Sequence, residues 1–185
     1  MVNIYELKLT NLQQKILRLL FIKAGSSLNA LTIAKRLNVS QPAVSKALPE
    51  LLNEDLIKLD KNKETGRLSI ELNRENYKIG QLKKIDNLKL IYESGFADFI
   101  EKEFAGATVI LFGSYSRGDD NINSDIDIAV IGRKDKKINI EKFEVILERK
   151  ININFYDSFK EIHKNLKENI FNGIILVGGI NLWKQ

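Results

Sequence analysis

Apolar residues between Asn11 and Ile22 recur as Leu12, Ile16, Leu19 and Leu20, the spacing of one helix face, and Gly25 follows to end it. A second helix is expected over Ala30–Leu37. After the turn Asn38-Val39-Ser40, Ser40 is placed to N-cap a third helix over Gln41–Asn53, with Pro42 in its first turn. The period then changes. Leu56–Asp60 and Arg67–Leu72 alternate apolar and polar residues around the turn-forming Lys63-Glu64-Thr65-Gly66, which predicts a hairpin.

From Arg74 to Phe104 the pattern is helical again, broken near Ser94-Gly95. Leu82, Ile85, Leu88 and Ile91 form one predicted face, and Phe96, Phe99 and Ile100 form another. Beyond Gly106 strands and helices alternate. Thr108–Phe112, Ile126–Ile131 and Ile151–Tyr156 read as strands, while Ile140–Leu147 and Ser158–Asn169 read as helices. Gly173–Val177 is either a last strand or the tail of a helix. The predicted class is α+β, with three parts: residues 1–73, a helical connector with the next domain's first helix at 74–104, and a small α/β domain with a mixed sheet at 105–185.

Composition narrows the chemistry. Among 185 residues there is no cysteine and a single histidine, His163, which excludes disulfides, thiolate zinc sites and multi-histidine metal centres. His163 itself is read as a plain helix residue, and the apolar Ile174–Trp183 tail as packing. No apolar run is long enough for a membrane span and the N-terminus lacks a signal-peptide pattern, so a cytoplasmic protein without membrane contact is expected. The net charge is +5, of which residues 1–73 carry +4 (11 basic, 7 acidic), which raises the expectation of a nucleic-acid partner.

The chemically informative stretch is Leu111–Val130. A buried strand runs into Gly113-Ser114, where a glycine admits close approach of a phosphate and a helix start offers amide donors. Arg117 adds a cation suited to phosphate. The following strand begins Asp125-Ile126-Asp127, and side chains two apart on a strand share a face. Two adjacent carboxylates repel unless a cation lies between them, and Mg²⁺ with substrate phosphates is the expected occupant.

Gly-Ser followed after ten residues by Asp-x-Asp resembles the signature of the DNA polymerase beta-like nucleotidyltransferases, in wording most similar to their minimal members. The resemblance implies that Gly113 and Ser114, with Arg117 and Ser124, hold a nucleoside triphosphate, ATP first among the candidates. It also implies that Asp125 and Asp127 bind up to two Mg²⁺ ions. The family's third acid falls here on Asn152, with Asn154 the alternative. Neither carries charge or accepts a proton, and Glu148 and Asp157 flank the strand as conceivable substitutes. Two outcomes follow for this domain: an active transferase, or a degenerate nucleotide-sensing module.

Residues 31–57 resemble the winged helix-turn-helix of prokaryotic transcription regulators. Ala34 permits close helix approach, and Leu37, Val39, Val44 and Leu48 form the small core. The resemblance implies double-stranded DNA as partner. Gln41, Ala43, Ser45 and Lys46 would face bases, and Lys61, Lys63 and Arg67 on the wing would face phosphates. Pro49 is expected to kink the third helix beyond the contact turn. The leading expectation is a DNA-binding regulator carrying a Mg-nucleotide domain, in a homodimer. The alternatives are an antitoxin-like nucleotidyltransferase modifying a protein acceptor, or a transferase acting on RNA or a small molecule.

Overall fold

A computed structural model describes residues 9–61 and 68–180. The chain divides into two compact units, Met1–Ile79 and Gly80–Gln185.

In the first unit, α1 (Asn11–Ile22) starts at a reciprocal cap in which Thr10 and Gln13 satisfy each other's backbone amides. Its Gln13 also donates to the Ala47 carbonyl at 3.3 Å, fastening α1 to the third helix. Helix α2 (Ala30–Leu37) ends where Asn38 takes the left-handed conformation, and α3 (Gln41–Asn53) begins on the Ser40 cap. The core gathers Ile16, Leu20, Ile33, Ala34, Val44 and Leu48, while the expected Leu37 and Val39 are half-buried. Helix α3 runs unbroken through Pro49, which lies on its exposed side. Strands β1 (Ile57–Lys61) and β2 (Leu68–Leu72) pair antiparallel, Ile57 against Leu72, and complete a winged helix-turn-helix. The turn between them lies outside the described residues.

Helix α4 (Tyr77–Glu93) departs from the expected pattern. Ile85, expected on the apolar face, is 66% exposed, and the buried row is instead Ile79, Lys83, Asn87 and Ile91. Four-residue steps carry two polar residues inward because a carboxylate stands opposite them. Gly95, at φ 74°, turns the chain into α5 (Phe96–Glu103).

The second unit is a mixed sheet in the order β5-β4-β3-β6. Strand β3 (Thr108–Phe112) pairs antiparallel with both β4 (Ile126–Ile131) and β6 (Ile174–Val177), and β4 pairs parallel with β5 (Ile151–Tyr156). The segment at 174–177 is therefore a strand. Between β3 and β4 lies the short helix α6 (Gly113–Arg117), and between β4 and β5 lies α7 (Glu141–Leu147). The helix expected over 158–169 is divided: a 3-10 turn at Phe159–Glu161 precedes α8 (Lys164–Phe171), with Ile162 extended between them. His163 is an exposed residue at the start of α8.

Alternation along the strands supplies two cores. Val109, Leu111, Ile126, Ile128 and Val130 meet α4, α5 and α7 on one face. Ile110, Phe112, Ala129 and Ile131 meet the 3-10 turn and α8 on the other. Among the described residues no helix is long and apolar enough to cross a membrane.

Gly118, at φ 80°, closes α6 against α4; a Cβ there would strike the Gly80 carbonyl and come within 2.6 Å of the Lys84 amide. Gly118→Ala is therefore expected to cost roughly 2–5 kcal/mol in a urea-unfolding measurement, combining left-handed strain with overpacking against backbone. Gly80→Ala, with open space around the added methyl, is expected to stabilise by about 0.5–1 kcal/mol in the same assay.

Candidate functional site

The face of β4 that buries Ile131 and Ala129 continues toward its N-terminal end as Asp127 and then Asp125. The strand that is apolar within the sheet thus delivers two half-buried carboxylates at its mouth. Register places Asp127 between Phe112 of β3 and Asn152 of β5. Phe112 is the last residue before Gly113, so the turn into α6 lies directly beside the acids.

Gly113 makes that closeness possible. Its φ is 77°, and a Cβ built there would sit 2.6 Å from the Asp127 Oδ2. Any larger residue would have to displace the carboxylate or abandon the turn. Ser114 follows, half-buried, and its carbonyl accepts from the Gly118 and Asp119 amides at 3.0 and 3.2 Å. The Ser116 hydroxyl donates to the Gly113 carbonyl at 2.8 Å, fixing the same short helix from inside.

Asn152 stands across from both acids. Its amide nitrogen donates to Asp125 Oδ2 at 3.1 Å and, more weakly, to Asp127 Oδ1 at 3.4 Å. This bridge shows that the two carboxylates face the same way and that Asn152, not Asn154, meets them; Asn154 lies two residues further along β5 opposite Ala129. One amide group with two N–H bonds offsets part of the repulsion between two like charges. Among the described residues no group of three or more acidic or histidine side chains suited to a metal comes together. The two carboxylates suit a hard cation completed by phosphate oxygens and water, and Asn152 could join them only by turning its carbonyl oxygen toward the ion.

The remaining expected residues fall into place unevenly. Arg117 is exposed, its Nε 3.2 Å from Asp119. Ser124 closes its own loop, accepting from the Asn121 amide at 3.0 Å through its hydroxyl. Glu148 lines an open groove of about 790 Å³ together with Asp125, Ser124, Ile122 and Val145. Asp157 follows the opposite end of β5 and lines a separate groove with Arg133 and Lys134.

Reasoning from sequence missed a buried ionic cluster behind this site. Asp120, 1% exposed, is ion-paired with Lys83 and lies 3.4 Å from the Arg149 guanidinium. Asn87 donates to Asp120 at 2.8 Å and to the Tyr115 carbonyl at 2.9 Å. The signal available was polar residues four apart, Lys83 and Asn87, inside an otherwise apolar helical row.

On the first unit, Gln41, Ser45 and Lys46 are exposed on α3, Ala43 is half-buried beside them, and Lys61 is exposed at the end of β1. Lys63 and Arg67 lie outside the described residues.

Residues 93–177 match the nucleotidyltransferase domain family. The chain is 41% identical over 63 residues to the transcriptional regulator AdcR of Streptococcus pneumoniae, a match covering 34% of this chain and 41% of that protein. The chain thus spans about two fifths of the length of that curated relative. Among solved structures, AdcR from Streptococcus pyogenes is similar at TM-score 0.40 and 27% identity, covering 53% of this chain and 69% of that one. The MepR–DNA complex of S. aureus is similar at TM-score 0.39 and 24% identity, covering 51% and 77%.

Proposed function

We propose that this protein is a DNA-binding regulator whose second unit binds a nucleoside triphosphate with Mg²⁺ and transfers its nucleotidyl group slowly. The observation that carries this reading is the close approach of Asp127 to Gly113, with Asn152 bridging Asp127 to Asp125.

Asp125 and Asp127 are the residues that would hold a divalent ion, and Gly113 and Ser114 the residues that would meet the polyphosphate. Such an ion, when bound, neutralises phosphate charge and favours in-line displacement at phosphorus. ATP is the proposed donor. The chain's own contribution is positional: a glycine turn that leaves room, a strand mouth that aligns two acids, and a rigid sheet beneath them. The groove beside Asp125 gives an acceptor space to approach. Asn152 limits the chemistry, because an amide cannot take the acceptor's proton as a carboxylate does. Slow turnover with preserved nucleotide binding is the outcome this geometry favours over brisk catalysis.

For the first unit, the exposed row Gln41, Ser45 and Lys46 supports insertion of α3 into the major groove of double-stranded DNA, with Gln41 able to pair adenine through two hydrogen bonds. Lys61, and by position in the sequence Lys63 and Arg67, would neutralise phosphates.

Calorimetric titration of the full chain is expected to show ATP binding that requires Mg²⁺ and weakens at least ~100-fold in Asp125→Asn or Asp127→Asn. Pyrophosphate release, slow in the native protein, is expected to rise ~10²–10⁴-fold in Asn152→Asp once an acceptor is supplied. Nucleotide affinity indifferent to both Mg²⁺ and Asp125→Asn contradicts the reading. For DNA, Lys46→Ala is expected to weaken binding to the protein's own upstream sequence and to lower the slope of log K against log salt by about 1. An unchanged slope and affinity remove Lys46 from the interface.

A further inference from the structure

The buried cluster around Asp120 plays no part in the chemistry above, yet every segment that builds the site is attached to it. Asp120 itself lies in the loop that leads from α6 to Asp125. Asn87, 4% exposed on α4, donates both to Asp120 and to the Tyr115 carbonyl, so one side chain ties that loop to the helix carrying Gly113 and Ser114. Arg149, 6% exposed, reaches Asp120 with one terminal nitrogen and the Glu148 carbonyl with the other at 2.9 Å. The next residue, Lys150, accepts the Ile126 amide at 2.8 Å, and Ile151 begins the strand that presents Asn152, its amide held by Glu144 at 2.9 Å. Lys83 supplies the second cation from α4.

The glycine turn, the carboxylate loop and the approach to Asn152 therefore meet at one carboxylate. A buried anion held between two buried cations has little freedom to move, because any displacement strips charge of its partners in a medium that screens poorly. Gly118 adds a second constraint on the same loop, packing its backbone directly onto α4. The Asp125 carboxylate, five residues beyond Asp120, takes a hydrogen bond from Asn152 across the strand, and its orientation also depends on how firmly the loop behind it is anchored.

We propose that Asp120 is a positioning residue: through Asn87, Arg149 and Lys83 it holds the 118–125 loop so that Asp125 stays paired, across Asn152, with the Asp127 that lies against Gly113. The proposal rests on the nucleotide reading above for its consequence, and on the cluster alone for its mechanism. Asp120, 1% exposed, would act through its neighbours and not by touching nucleotide or cation.

Two readouts on the full chain separate these. Amide hydrogen exchange over residues 119–127 of the nucleotide-free protein is expected to quicken ~10-fold or more in Asp120→Asn. The same is expected in Asn87→Leu, which removes no buried charge and protects the test should Asp120→Asn fail to fold. Mg-ATP affinity, titrated on the same samples, is expected to fall ~10–100-fold in whichever variants fold. Ile100→Val, which loosens the core of α5 at a site outside the cluster, is the control for stability alone: it should leave both the loop's exchange and the affinity at the native level. Native loop exchange in a folded Asn87→Leu or Asp120→Asn overturns the positioning role, as does an affinity loss that Ile100→Val reproduces. If the native protein binds no Mg-nucleotide, the function proposed above falls while the exchange measurement still decides for or against the loop anchor.

Discussion

Two negative charges on neighbouring side chains of one strand face are the constraint around which the second unit is organised. A sheet can tolerate them only at its mouth, where water or a cation reaches them, and only if something nearby offers compensating donors. The structure places Asp125 and Asp127 where the buried face of β4 runs out, sets the Asn152 amide between them, and clears the space above Asp127 by using a glycine at position 113. Each of these choices makes sense only in view of the pair. A strand of ordinary core residues would require none of them.

The second level of organisation is ionic and buried. Asp120, Lys83 and Arg149 are all withdrawn from water, an arrangement that contributes little net stability relative to apolar packing but is costly to break on one side. Its value lies in specificity of placement. Three segments distant in sequence meet there, and the short helix α6 is too brief to hold its own orientation without such an anchor.

Much of this was legible beforehand. The strands at 108–112, 126–131 and 151–156, and the helices at 11–22, 30–37 and 41–53, follow directly from hydrophobic periodicity and caps. The acidic pair could be read from the two-residue strand repeat, and Asn152, with Asn154 as alternative, from the resemblance to the nucleotidyltransferase signature. What periodicity could not give was the polarity of α4. Ile85 fits a helical apolar face as well as its neighbours do, but it is exposed, because Lys83 and Asn87 turn inward to a carboxylate thirty-odd residues away. Partners so far apart leave no mark on local patterning. Likewise Arg117, suited by chemistry to phosphate, stands exposed beside Asp119, a pairing between near neighbours that residue type alone does not reveal. The division of the expected 158–169 helix at the extended Ile162, which buries its side chain in the smaller core, was decided by tertiary packing over local propensity.

The central claim is that the acids and the glycine-serine turn act together as one receptor for a cation and a polyphosphate. A crystal structure of the full chain with Mg²⁺ and a non-hydrolysable ATP analogue tests it most directly. The expected result is a cation about 2.0–2.1 Å from carboxylate oxygens of both Asp125 and Asp127, with phosphate oxygens against the backbone of Gly113 and Ser114. A nucleotide bound elsewhere, or a cation that engages neither acid, contradicts the account.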